Sequence, residues 1–139
     1  MATYAKFYTF VEDLIDGLHH LGASGDVLKV YLTNNTPDQG LDAIKGDLLG
    51  ITEENGYAPA DIQNDISRTD GTAKMTAVDV TFTASGGTVG PFRYAVIYND
   101  TCASPVDPLV CYWDYGSEVT LNSGESFKVD FGTEVFTIS

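Results

Sequence analysis

Apolar and polar residues alternate along several short stretches of the chain. Residues 28–33, 78–84, 118–121 and 127–131 follow this pattern, which is typical of strands with one buried face. A last short strand is expected at 135–138. Glycine-rich turns separate these strands. The spacing predicts a mostly β protein built as an antiparallel β-sandwich, with a jelly-roll-like arrangement as the leading topology.

Two runs are apolar on both faces. GPFRYAVIYND at 90–100 and PLVCYWDYG at 108–116 are rich in aromatic and β-branched residues, and the loop TCASPVD separates them. They are predicted to pair as a hairpin. Such strands are either central and covered twice, or cover the core with one face and a partner with the other. Residues 122–125 predict a second hairpin, between the strands at 118–121 and 127–131.

A short amphipathic helix is predicted from Lys6 to Leu18. Its apolar residues recur at helical spacing: Phe7, Phe10, Val11, Leu14, Ile15 and Leu18. Thr9 and Glu12 have the spacing of a capping box, in which their side chains would accept the first free backbone N–H groups. Gly17 and Gly22 are expected to weaken or end the helix.

The segment 34–76 fits neither the strand nor the helix period. It begins with turn-forming residues, and its apolar positions stand irregularly among glycines and acids. We therefore expect a long irregular connection that carries a short strand or a turn of helix. Its acidic and amide side chains could in principle bind Ca²⁺, but they lack the spacing of an EF-hand loop, which favours a solvated acidic loop.

Length and charge limit the kind of protein. The 139 residues fit a single domain, 1–139, that can bury a core without a metal or a disulfide. A net charge of −13 disfavours nucleic acid and anionic membranes as partners, and there is no apolar run long enough for a membrane span. The N-terminus lacks the pattern of a secretory signal, so synthesis in the cytoplasm is expected.

Histidine and cysteine supply few candidates for chemistry. Cys102 and Cys111 could meet across the central hairpin, but reduced thiols are the favoured interpretation for a cytosolic product. His19 and His20 are adjacent and have no third metal ligand at a suitable spacing. They are interpreted instead as residues at a helix C-terminus, where the macrodipole favours imidazolium.

Recognisable catalytic motifs are missing. The sequence contains no GxSxG, HExxH or CxxC motif and no phosphate-binding loop, so no catalytic, metal or cofactor-binding residues are predicted. A carboxylate pair drawn from Asp100, Asp114 and Glu118 stays possible in a cleft. An aromatic platform for sugars is a further alternative to core packing. The platform would consist of Tyr112, Trp113 and Tyr115.

The stretch from Val80 to Asp130 resembles a known family. Its runs VTFTASGGTVGPFRYAVIYNDT and DPLVCYWDYGSEVTLNSGESFKVDF are similar to those of small virion proteins of tailed bacteriophages and prophages, of the capsid decoration or cement type. The N-terminal pieces KFYTFVEDLIDGLHHL and LKVYLTNNTP match in order and position. The resemblance is loosest at 40–76, and Cys102 and Cys111 stand where small non-thiol residues are expected.

The resemblance implies a virion protein without catalytic activity. Such a protein would be made in the host bacterial cytoplasm, sit on the outer surface of the capsid as a dimer or trimer, and bind the major capsid protein. Residues 1–10 form a candidate contact arm because they are more apolar than a free end needs. The candidate contact residues are Tyr4, Lys6, Phe7, Tyr8 and Phe10. The alternative is a receptor- or glycan-binding module of a tail or head fibre.

Overall fold

A computed structural model describes residues 2–139 and shows a mostly β protein with one short α-helix. Strands make up 44% of the residues and helices 8%, so the predicted antiparallel β-sandwich is confirmed. The elements in chain order are β1 (Thr3–Lys6), α1 (Tyr8–Ile15), β2 (Leu28–Thr33), a 3-10 turn (Lys45–Asp47), β3 (Ala60–Asp61), β4 (Asp65–Thr69), β5 (Thr72–Thr76), β6 (Val80–Thr83), β7 (Val89–Asn99), β8 (Leu109–Leu121), β9 (Ser126–Val129) and β10 (Phe136–Ile138).

Three antiparallel sheets build the molecule. The largest has the strand order β1-β8-β7-β2-β3, and a smaller sheet has the order β10-β5-β4. β6 and β9 form a separate pair. The buried apolar residues of all three sheets, of α1 and of the connection after β2 belong to one contiguous core. Burial of this shared core is what holds the sheets together.

The central hairpin forms as predicted. β7 pairs with β8 in a register that includes Val96 opposite Tyr112 and Ile97 opposite Cys111. β7 is buried on both faces from Tyr94 to Asn99. Near its start, Gly90 has φ +119°, and an added Cβ would lie 2.7 Å from the carbonyl oxygen of Val119. Only glycine lets the two strands approach so closely there.

The second face of the central sheet is covered by the chain itself. Tyr31 and Tyr98 lie on this face, and the Tyr31 hydroxyl donates to the carbonyl of Leu48 at 2.6 Å. The Lys45 ammonium sits over both rings, 5.1 Å from the centroid of Tyr31 and 5.3 Å from that of Tyr98. Thr33 donates to the carbonyl of Leu49 at 2.7 Å. The connection after β2 therefore covers this second face of the central sheet, which a partner protein could otherwise have covered.

The connection itself is more regular than expected. Inside 34–76 the chain forms the 3-10 turn, β3 and the complete hairpin of β4 and β5. This hairpin turns at Asp70, which has φ +51°. Every residue of β4 is exposed, so its sequence has no buried face and shows no apolar alternation. The predicted short strand and turn of helix are present as β3 and the 3-10 turn, whereas the hairpin of β4 and β5 was missed for this reason.

The helix is shorter than predicted and lacks the capping box. Lys6 is already part of β1, so α1 begins only at Tyr8, and Phe7 at its N-cap makes no side-chain cap. The Thr9 hydroxyl is buried without a hydrogen-bond partner. Gly17, with φ +82°, ends the helix as expected. Its N–H donates to the carbonyl of Leu14, and the N–H of Leu18 donates to the carbonyl of Asp13.

The turn of the second predicted hairpin connects two different sheets. Residues 122–125 do form a turn, closed by the Glu125 N–H and the carbonyl of Asn122 at 2.9 Å. β9 then pairs with β6 and not with β8. β8 itself runs unbroken from Leu109 to Leu121, through Gly116 at φ +88°. The turn chemistry was predicted correctly, but the partner of the strand was not.

Candidate functional site

The five predicted contact residues lie in three different environments. Phe7 and Phe10 are 0% and 1% exposed and belong to the core. Tyr4 and Lys6 are half-buried in β1, which pairs with β8 along Thr3–Lys6. Tyr8 is 65% exposed. The N-terminal segment is thus an edge strand paired with β8 and the start of α1, and its role in contacts stays a prediction.

A stripe of exposed apolar side chains runs along the outer side of α1. Tyr8, Val11 and Ile15 are 65%, 46% and 86% exposed, and their spacing places them on one side of the helix. Glu12 and Asp16 border the same shallow depression on the surface. We call these five residues the α1 stripe. An exposed apolar surface rimmed by charge is typical of a protein contact site.

A larger apolar groove lies between the smaller sheet and the segment after α1. It has a volume of about 700 Å³. Pairing of Met75 with both Ile66 and Phe136 puts these three side chains on one face of the sheet, and Ala73, Arg68 and Ile138 share that face. We call this surface the β4 groove. The residues that line it are Leu14, His19, His20, Leu21, Gly22, Ile66, Ser67, Arg68, Ala73, Lys74, Met75, Phe136 and Ile138.

The β4 groove is open and apolar at its outer end. Ile66 is 55% exposed and Ile138 is 52% exposed. β4 and β10 are the two edge strands of the sheet, so the groove runs between two strand edges with unpaired backbone groups. Lys6 reaches the groove from β1, with its ammonium 5.5 Å from the centre of the Phe136 ring.

The charges in the β4 groove are opposite to those of the protein as a whole. The chain has 20 acidic residues against seven basic ones, but none of the residues that line the groove is acidic. Arg68 is among them, as are both histidines. Lys74 pairs with Ser67 and Thr137, so its side chain points to the other face of the sheet. Within residues 2–139, Arg68 forms no ion pair, whereas Lys29, Arg93 and Lys128 each bind an aspartate. The groove therefore favours an apolar occupant that carries carboxylates.

His19 joins the groove to the central sheet. It is 5% exposed, and its Nδ1 accepts from the Nδ2 of Asn99 at 3.0 Å. Asn99 also donates to Asp26 at 2.7 Å, and its carbonyl oxygen accepts the N–H of Thr101. Burial lowers the pKa of His19, and the nearby carboxylates of Asp13 and Asp26 oppose this less strongly. Because Nδ1 accepts the hydrogen bond from Asn99, the proton of the neutral ring is on Nε2.

This arrangement corrects the expectation for the histidines. α1 ends at Ile15, so His19 lies beyond the helix and belongs to a buried hydrogen-bond network. Its Nε2 is buried without a hydrogen-bond partner. His20 is exposed, and its backbone N–H binds Asp26 at 3.0 Å. The helix-end interpretation failed because the helix is one turn shorter than its apolar pattern.

Both cysteines are free thiols, as expected. Cys111 is fully buried in β8, and burial raises its pKa to about 12. The hydroxyl of Tyr4 faces it from β1 and is itself buried without a hydrogen bond of regular geometry. A thiol that stays protonated in the core is a poor nucleophile.

The carboxylates considered for catalysis are engaged elsewhere. Asp100 pairs with Lys29 at 3.1 Å, and Asp114 accepts from Arg93 at 2.8 Å. The hydrogen bond from Arg93 lowers the pKa of Asp114, and Glu118 is exposed. Within residues 2–139, no group of three or more histidine, cysteine or acidic side chains could hold a metal ion.

The aromatic side chains of β8 pack against other rings. Trp113 lies between Tyr4 and Phe131, at centroid distances of 5.3 and 5.4 Å. Tyr112 contacts Phe7 at 5.2 Å, and Tyr115 contacts Phe127 at 4.9 Å. These tilted and edge-on pairs are typical of core packing, whereas a sugar platform requires an open ring face.

Comparisons with known proteins add no relative to this description. No family model, curated protein or solved structure gives a significant match to the chain. In the described part of the chain, no helix is long and apolar enough to span a membrane. The resemblance to phage virion proteins therefore stays a prediction.

The pattern along the sequence pointed only partly to these surfaces. The six apolar positions of the predicted helix span an arc of about 140°, wider than one buried face of a short helix needs. That excess width was a usable signal for the α1 stripe. The β4 groove left no signal of its own, because it is assembled from three distant parts of the chain.

Proposed function

We propose that this chain is a non-enzymatic structural protein of a phage virion, which decorates the outside of the capsid and fastens neighbouring capsid subunits. The observation that carries the proposal is the presence of two separate apolar surfaces, the α1 stripe and the β4 groove, on one small domain. A protein that fastens subunits through multivalent contact must bind more than one neighbour, whether a capsid subunit or a further copy of itself. Two contact surfaces meet that requirement.

Fastening follows from multivalent contact. A module that binds the assembled lattice and not the free subunits stabilises the lattice by mass action. A dimer or trimer of the chain contacts several copies of the major capsid protein at once, and each added contact becomes intramolecular. The chain leaves the host cytoplasm only as part of the particle.

The rigidity of the fold supports this role. β1 is held along its length by β8, and Phe7 and Phe10 anchor α1 in the core. Tyr8 is therefore presented on a fixed backbone. Little conformational freedom remains to be lost when such a surface binds, which favours affinity.

Imaging of the virion tests the proposal most directly. The protein should occupy many symmetry-related positions on the outer surface of the head, and the purified chain should sediment with heads that lack it. A few copies confined to a tail or head fibre would overturn the proposal in favour of a receptor- or glycan-binding module.

Variants connect the binding to the two surfaces. Ile15→Asp combined with Ile66→Asp should reduce sedimentation with heads at least about tenfold, because a charge is placed in each apolar surface. Both side chains are exposed, so the variant should fold, which circular dichroism checks. Val106→Asp, at an exposed position in the loop between β7 and β8, is the matched control. Equal binding by the double variant and the control would show that these surfaces do not contribute to binding of the head.

A further inference from the structure

The two apolar surfaces have opposite electrostatic character. The α1 stripe sets Tyr8, Val11 and Ile15 beside the carboxylates of Glu12 and Asp16. In the β4 groove, Ile66 and Ile138 share a face of the sheet with Arg68, and no lining residue is acidic. One surface thus has the apolar and charged groups that would complement the other.

We infer that copies of this chain associate with each other by seating the α1 stripe of one copy in the β4 groove of the next. The inference deepens the proposed function, because it specifies which surfaces join the copies. Apolar side chains from both sides would be removed from water, while Glu12 and Asp16 would approach Arg68.

Charge excludes the simpler pairings of each surface with itself. Two α1 stripes in contact would bring four carboxylates together, and two β4 grooves would bring together two Arg68 guanidinium groups. Copies with a net charge of −13 also repel each other in most orientations. Stripe against groove is the pairing in which the local charges attract.

The two surfaces lie on different sides of the end of α1. Leu14 lines the β4 groove, and the next residue, Ile15, belongs to the α1 stripe. A contact between two different surfaces closes as a reciprocal two-fold dimer or a ring where the rotation between copies allows it, and otherwise continues as an open filament.

Sedimentation velocity of the purified chain tests the inference in the absence of capsid. The wild-type protein should form dimers or small rings as its concentration is raised from about 1 µM to about 1 mM, a range that covers transient interfaces. Ile15→Asp in the stripe and Ile66→Asp in the groove should each weaken association at least about 30-fold. Val106→Asp should leave it unchanged.

Mixing the two variants distinguishes this contact from any other. Each variant keeps one intact surface, so an equimolar mixture should restore association in the form of mixed pairs. A mixture that stays monomeric would overturn the inference, as would a wild-type chain that is monomeric at about 1 mM. Association that survives either single substitution would also overturn it.

Charge reversal sharpens the same test. Arg68→Glu should repel the wild-type stripe, and the double variant Glu12→Lys, Asp16→Lys should repel the wild-type groove. The two together should associate again, because the reversed groove then faces the reversed stripe. Since no capsid is present, failure here leaves decoration of the head untouched. A chain that associates but does not bind heads would instead contradict only the proposed function.

Discussion

Two hairpins of the same kind have opposite roles in this molecule. The hairpin of β7 and β8 is central, and β7 is buried on both faces from Tyr94 to Asn99. The hairpin of β4 and β5 lies at the edge of the smaller sheet, and all of β4 is exposed. The first supplies the core, whereas the second supplies a wall of the β4 groove. Stability and interaction are thus assigned to different strand pairs.

The largest expected effect separates the two hairpins by stability. Phe92→Ala removes a fully buried ring from β7 and should lower the free energy of unfolding by about 3–5 kcal/mol. Ile66→Ala in β4, where the side chain is half exposed, should cost less than about 1 kcal/mol. Urea denaturation followed by circular dichroism measures both. Similar losses in the two variants would contradict the division of roles.

A smaller effect is expected where the central hairpin meets the groove. Asn99→Ala removes the donors to His19 and Asp26 and the acceptor of the Thr101 N–H, and leaves buried polar groups without partners. The expected loss is about 2–3 kcal/mol in the free energy of unfolding. Asn35→Ala, at an exposed position after β2, is the control and should cost less than about 0.5 kcal/mol. Equal losses would show that the Asn99 network contributes little.

The smallest effect depends on pH. Because the pKa of His19 is lowered in the folded chain, the unfolded chain takes up the proton first as the pH falls. The stability present above the ordinary histidine pKa of 6.5 is therefore lost progressively below it. Melting temperatures measured from pH 8 to pH 5.5 should fall in the wild-type protein.

Substitution identifies the histidine responsible. His19→Gln should flatten the pH dependence in this range, whatever it does to overall stability. His20→Gln, which changes an exposed neighbour, should retain it. A pH dependence that follows His20 would contradict the role of the buried network.

The difference between the hairpins also explains which elements could be predicted. β7 and β8 are apolar on both faces, and burial of that kind leaves a clear pattern in the sequence. β4 has the sequence DISRT, with a single large apolar residue, so its pairing with β5 had no pattern to reveal it. β9, in contrast, alternates apolar and polar residues clearly. Alternation alone does not specify the strand that it pairs with, which is β6 and not β8.

The candidate surfaces show the same limit. Tyr8 was among the predicted contact residues and is exposed, but Phe7 and Phe10 proved to be core residues. Their apolar character was evident, whereas the side of α1 that faces the core depends on how β1 pairs with β8. The β4 groove could not be predicted, because strand pairing brings Ile66, Met75 and Phe136 together from distant parts of the chain.

By itself, the sequence of this protein determined its class, its central strand pair and the presence of a short N-terminal helix. These features depend on local periodicity, turn chemistry and composition, which can be read residue by residue. Tertiary structure alone decided that the connection after β2 covers the second face of the central sheet, and that an acidic chain holds a groove without acids. Such features depend on long-range packing, in which the neighbours of a residue are set by the whole fold.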